Sequence, residues 1–142
     1  MSIEEFLAKV PIFSALSRGQ LSNLAKLVNQ RTFPRGTVII REGDTDATLY
    51  IVVSGSVRVT KKRSGNAGEV NLATLTSGDF FGEMGLLDGA PRSATVAAVE
   101  PTDCLLLTRW VFYSTLRSDP EIAVAMLPTL SQRIRSLEES IS

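Results

Sequence analysis

The chain has 142 residues, 44% hydrophobic and 21% charged, with 15 Lys plus Arg balanced by 15 Asp plus Glu. That is one domain's worth of an ordinary soluble composition, with no global field to attract nucleic acid or an anionic membrane. The absence of histidine excludes Ser-His and Cys-His triads and histidine-ligated metal or haem, and the single Cys104 excludes an internal disulfide. No apolar run approaches membrane-spanning length, and the first residues lack the regions of a signal peptide. With one cysteine, these features lead us to expect a cytoplasmic domain without a membrane partner.

The first helix is expected over residues 2–10, where Ser2 and Glu5 have capping-box spacing and Ile3, Phe6, Leu7 and Val10 share a face. Pro11 ends it, and Ile12 and Phe13 are apolar anchors. Ser17 and Gln20 repeat the capping-box spacing before a second helix carrying Leu21, Leu24, Ala25 and Val28. From 30 to 107 the pattern changes to about eight short strands divided by turns. The clearest strands are 37–40, 48–53, 56–60, 70–75, 93–98 and 103–107, with turns at 34–36 and 41–44 and a loose hairpin tip at 64–68. Strands at such intervals indicate a sandwich or barrel. The acids of the 41–44 turn lack the ligand spacing of a calcium loop, and Lys61-Lys62-Arg63 reads as solvated surface. Thr108 caps a helix reaching Leu116, with Trp110, Val111 and Phe112 apolar. Asp119 and Pro120 then begin a last helix to about residue 140. Its stripe is Ile122, Met126, Leu130, Ile134, Leu137 and Ile141, the last four at coiled-coil spacing, and Pro128 should kink it.

The chemistry concentrates in residues 78–98, which read as strand, tight turn, short helix, loop and strand. Gly82 allows close approach of a ligand to the backbone. Residues 83–87 form a short helix ended by Asp88-Gly89, and its first amides suit an anion. Arg92 follows Pro91 into the next strand, where the small Ser93 and Ala94 can aim amides and a hydroxyl at whatever Arg92 holds. A guanidinium with such donors suits a singly charged phosphodiester. Glu83 cannot help bind an anion, so its natural partner is a sugar hydroxyl on the same molecule. A compact ligand carrying both groups is a cyclic nucleotide. The competing reading, a structural Arg92–Glu83 ion pair, brings little net stability.

At these residues the chain resembles the cyclic nucleotide-binding domain family. Phe81-Gly82-Glu83-Met84-Gly85-Leu86 and Pro91-Arg92-Ser93-Ala94-Thr95-Val96 match that family's phosphate-binding cassette in order and spacing. Gly36, Glu42-Gly43-Asp44, Leu49-Tyr50-Ile51-Val52 and Gly55 are similar to its glycine-punctuated jelly roll. The resemblance implies a mainly β fold with flanking helices, forming one domain over 1–142. Within it lie an N-terminal helical pair (1–29), an eight-stranded jelly-roll barrel (30–107) with the cassette at 78–98, and C-terminal lid helices (108–142).

The same resemblance implies ligand contacts from Gly82, Glu83, Met84, Arg92, Ser93 and Ala94, with Val59, Leu72, Ala73 and Leu75 around ribose and base. In the family's kinase members, alanine at the position of Ser93 accompanies cyclic AMP and threonine cyclic GMP. The catabolite activator members resemble this chain in having serine and respond to cyclic AMP. Cyclic AMP is therefore favoured, with cyclic GMP the alternative and no metal required. Arg133 matches the position of a purine-stacking arginine in a bacterial channel member, and Leu130, Ile134 and Leu137 are the alternative cover.

A non-enzymatic regulatory domain is implied, whose last helices move on ligand binding, with a hinge at Pro128 or at 116–119 and an unspecified effector protein as partner. Three alternatives remain open: a fragment of a catabolite-activator-like transcription regulator, a fragment of a channel, and an interaction module that has lost its ligand. Those regulators carry a helix-turn-helix after the long helix. This chain stops at Ser142, so no DNA contact is expected from it. The seam over 130–141 also permits a homodimer through the last helix.

Overall fold

In the computed structural model, which describes residues 1–65 and 68–141, both N-terminal helices begin at capping boxes. The Ser2 hydroxyl accepts from the Glu5 amide at 3.1 Å and the Glu5 carboxylate accepts from the Ser2 amide at 3.2 Å, which starts α1 (Ile3–Ala8). The Ser2 amide donating to it, with a smaller part from the Ser2 hydroxyl, holds the Glu5 carboxyl below its ordinary value. Ser17 and Gln20 exchange the same pair of bonds at α2 (Arg18–Ala25), and a 3-10 turn, Pro11–Phe13, lies between the two helices. Part of the hairpin tip expected at 64–68, namely Asn66 and Ala67, lies outside the described residues, as does Ser142.

The chain divides into two compact units, residues 28–109 and residues 1–27 with 110–142. The first contains β1 (Asn29–Phe33), β2 (Val38–Ile40), β3 (Thr48–Ser54), β4 (Ser56–Lys62), β5 (Glu69–Thr76), β6 (Phe80–Phe81), α3 (Glu83–Asp88), β7 (Thr95–Ala98) and β8 (Thr102–Thr108). The strands form two antiparallel sheets, ordered β1-β8-β3-β6 and β2-β7-β4-β5. Among these pairings only β4 and β5 are sequence neighbours, so the remaining connections pass from one sheet to the other, as in a jelly roll. The expected eight-stranded jelly-roll barrel requires correction in its closure: the ladders end at β1 and β6 and at β2 and β5, giving two open four-stranded sheets.

One apolar cluster joins the sheets, with Phe33, Tyr50, Val52, Phe81 and Cys104 from one and Ile40, Val57, Val96 and Ala98 from the other. β3 is buried at five successive positions, as befits a strand between two partners with both faces covered. Burial pushes the Cys104 thiol up to about 12, with Asp103 adding to it, so the thiol stays protonated and acts as a small apolar core residue.

Two departures from the sequence pattern have simple causes. β1 shows no apolar alternation, because Asn29 to Thr32 are exposed and only Phe33 is buried. It exists through its ladder to β8, from Asn29↔Leu106 to Phe33↔Thr102. In β5 the register slips where Val59↔Ala73 is followed by Thr60↔Asn71, leaving Leu72 as the extra residue of a bulge and 53% exposed.

The helical unit adds α4 (Arg109–Ser118) and α5 (Glu121–Ile141). Its core includes Leu7, Phe13, Leu24, Phe112 and Ile122, all inaccessible to solvent, with the Phe13 and Phe112 rings 5.9 Å apart. The apolar residues grouped on α4 do not act alike: Phe112 is buried, whereas Trp110 is 80% exposed. α5 continues as one helix through Pro128. Its stripe changes character along its length, from buried Ile122 and Met126 to exposed Ile134, Leu137 and Ile141. Among the described residues, no helix is long and apolar enough to cross a membrane.

Candidate functional site

The geometry of the 78–98 segment begins with two glycines in the left-handed region. Gly82 (φ +88°) is the N-cap of α3 and Gly89 (φ +70°) its C-cap. At Gly82 the space also matters. A Cβ there would stand 2.5 Å from Arg92 Nη1 and 2.6 Å from the Thr48 carbonyl oxygen, and one at Gly85 would stand 3.0 Å from the same Nη1. The start of α3 and the Arg92 guanidinium therefore face each other with no room for a side chain between them.

Arg92 is fixed through both its backbone and its side chain. Its amide donates to the Asp44 carbonyl at 2.7 Å and its carbonyl accepts from the Gly43 amide at 2.8 Å, tying the loop after α3 to the 41–44 turn. The residue is 6% exposed. Nη2 donates to the Thr48 carbonyl at 2.5 Å and Nη1 to the Gly82 carbonyl at 3.4 Å. Nε is buried and has no hydrogen-bond partner among the described residues.

The carboxylate facing this guanidinium is Asp46, 3.9 Å from Nη2. Asp46 in turn accepts from the Thr48 hydroxyl at 2.9 Å and the Tyr50 hydroxyl at 3.1 Å. The Tyr50 ring stacks on Phe81 at 4.9 Å. Burial, reinforced by Asp46, pushes the Tyr50 hydroxyl up to about 12, so it remains a donor across the ordinary pH range. Glu83 is half-buried and, among the described residues, its carboxylate meets neither a hydrogen-bond donor nor a cation. The structural Arg92–Glu83 pair is thus absent.

A cleft of about 420 Å³ opens here, within the range of roughly 300–1,000 Å³ usual for small-molecule sites. Val59, Gly82, Glu83, Met84, Arg92, Ser93 and Ala94 all line it, together with Phe81, Gly85 and Asp88. The expected Leu72, Ala73 and Leu75 are not among the lining residues. Leu72 is taken up by the β5 bulge, Ala73 is exposed, and Leu75 packs against the core between the sheets. Arg133 belongs to the helical unit, where it lines a different groove with Gln132 and Ser136 of α5.

Sequence reasoning missed Asp46, whose relation to Arg92 is entirely tertiary. Its only local sign is the Asp-x-Thr spacing that lets the Thr48 hydroxyl bond back to it.

A cyclic phosphate with a free ribose hydroxyl fits these residues. The guanidinium keeps an unmet N–H, the glycines leave the space beside it clear, and the carboxylate has no protein partner. The described residues contain no group of three or more His, Cys, Asp or Glu side chains placed to hold a metal ion.

Comparison with known proteins agrees with this geometry. The family model described as "Cyclic nucleotide-binding domain" matches residues 30–119. The cAMP-dependent protein kinase regulatory subunit of Mycosarcoma maydis is 39% identical over 100 residues, covering 70% of this chain and 19% of that protein. The cyclic AMP receptor protein of Thermus thermophilus is 35% identical over 128 residues, covering 90% of this chain and 59% of that protein. This chain thus spans less than two thirds of either relative's length. Among solved structures, the N-terminal domain of a transcriptional regulator from Streptomyces coelicolor superposes with a TM-score of 0.87 at 30% identity, covering 96% of this chain and 95% of that one. By the family match, by these relatives and by the arrangement of its cleft, the chain belongs to the cyclic nucleotide-binding domain family.

Proposed function

We propose that this domain is a non-enzymatic sensor of cyclic nucleotides that takes cyclic AMP in preference to cyclic GMP. The observation that carries the reading is the state of two side chains in one cleft: a buried guanidinium with an unpartnered Nε and a carboxylate with no protein partner. A buried unsatisfied donor costs about 1–3 kcal/mol, and a bound phosphate oxygen relieves it. Arg92 holds the phosphate with the amides of Ser93 and Ala94, Glu83 accepts from the ribose hydroxyl, and Gly82 lets the ligand approach α3. Val59 and Met84 flank the sugar and base. The preference for cyclic AMP is supported by the names of the Mycosarcoma and Thermus relatives.

A cover for the base from the last helix, by Arg133 or by Leu130, Ile134 and Leu137, is supported by the family resemblance. Binding moves α5 about a hinge at Pro128 or at 116–119, to an extent set by the ligand's differential affinity for the two positions. The resulting change is read by an effector protein. A transcription regulator is the second reading for the whole protein, supported by the similarity to the N-terminal domain of the Streptomyces transcriptional regulator.

Calorimetric titration with the two cyclic nucleotides tests the ligand assignment. Saturable 1:1 binding is expected for both, tighter for cyclic AMP. Tighter cyclic GMP binding reverses the preference, and no binding of either leaves an interaction module. Amide exchange tests the mechanism: protection over 120–140 should change with ligand, and identical protection rejects the helix movement.

A further inference from the structure

We infer that the groove between the Pro11–Phe13 turn and the second half of α5 is a binding site for a small organic anion. The inference does not rest on the cleft. The groove has a volume of about 530 Å³ and is formed entirely within the helical unit. From α5 it receives Thr129, Gln132, Arg133 and Ser136, spaced by three or four residues and so aligned on one helix face. Among the described residues, Arg133 is the only charged one lining it. Nη1 of Arg133 is buried and has no hydrogen-bond partner among the described residues.

The hydroxyls divide by availability. Ser14 donates to the Pro11 carbonyl at 2.8 Å and Ser140 to the Leu137 carbonyl at 2.7 Å, which leaves their oxygens only as acceptors. Thr129, Gln132 and Ser136 have no protein partner among the described residues, and Gln132 and Ser136 are exposed, so their donors are open to a ligand in exchange for water. A guanidinium with surplus donors selects a carboxylate or phosphate group, because an oxyanion offers only acceptors. Pro11 and Leu137 supply apolar wall, and the volume far exceeds what a bare inorganic anion fills. The ligand class is therefore an anionic head on a small apolar body. Since the turn and α5 both contribute, an occupant fixes α5 against the turn.

Residue-resolved NMR titration of the whole chain tests the site, with phenyl phosphate as probe, benzyl alcohol as neutral control and inorganic phosphate as bare-anion control. Phenyl phosphate should shift the amides of residues 12–14 and 129–137 saturably, inorganic phosphate more weakly, and benzyl alcohol not at all. Arg133→Gln should weaken this binding about tenfold or more, the loss expected for one charge-assisted hydrogen bond. Ser136→Leu, which fills the groove and keeps the charge, should abolish it. Unchanged affinity in Arg133→Gln, equal shifts from benzyl alcohol, or shifts confined to residues 82–94 overturn the inference. Cleft and groove amides report separately, so a cleft silent to cyclic AMP beside a responding groove removes the functional reading alone.

Discussion

Replacing Arg92 with alanine is expected to weaken cyclic nucleotide binding by about 2–5 kcal/mol, or roughly 30- to 4,000-fold in Kd, because it leaves a desolvated anion without its counter-charge. The same change strips the Thr48 and Gly82 carbonyls of their donor and leaves Asp46 without the guanidinium it faces. Some loss of folding stability should accompany the loss of affinity, so binding is to be measured by calorimetry well below the melting transition of the variant. Arg92→Lys separates the two effects. It keeps the charge but not the fork that reaches Thr48 and Gly82 together, so affinity should still fall substantially while the fold is largely retained. Affinity near that of the unmodified chain in both variants contradicts the assignment of Arg92 to the phosphate.

Gly82→Ala should be nearly as damaging, by a different route. A left-handed backbone at a residue with a Cβ costs about 1–2 kcal/mol by itself. Here the Cβ also meets the Thr48 carbonyl oxygen at 2.6 Å and Arg92 Nη1 at 2.5 Å, so either β3 or the guanidinium must move. Urea unfolding should show a destabilisation of at least about 1–2 kcal/mol, with unchanged slope. Binding should fall about tenfold or more, since the charge-assisted bonds that aim Arg92, worth about 1.5–3 kcal/mol, are displaced. A variant of normal stability and normal affinity contradicts the close approach of α3 to Arg92.

The cleft was legible where its chemistry is local. Gly82, Glu83, Pro91 and Arg92 fall within one short segment whose turn and helix signals fix their relative placement, and the structure brings Glu83 and Arg92 to one cleft. Local spacing also sufficed for Ser2 with Glu5 and Ser17 with Gln20, whose reciprocal bonds need nothing outside one helical turn. What depends on pairing across the fold was not legible. Asp46 reaches Arg92 from the distant loop between β2 and β3, and β1 is specified by its ladder to β8 rather than by apolar alternation.

Leu72 illustrates the same limit within a strand. One bulge shifts the β5 register, and with a side-chain period of two, such a slip changes which residues face the site. Trp110 and the far half of α5 show that an apolar residue at helical spacing need not be covered: Trp110 is 80% exposed and Ile141 85%. Periodicity identifies a face, and only the fold decides what covers it.

The most direct measurement is a crystal structure of the chain grown with cyclic AMP. It should show the Arg92 guanidinium and the Ser93 and Ala94 amides on the cyclic phosphate, with the Glu83 carboxylate accepting from the ribose hydroxyl. A vacant cleft at saturating nucleotide, or Arg92 and Glu83 bonded to each other with the ligand held elsewhere, contradicts the two-ended grip.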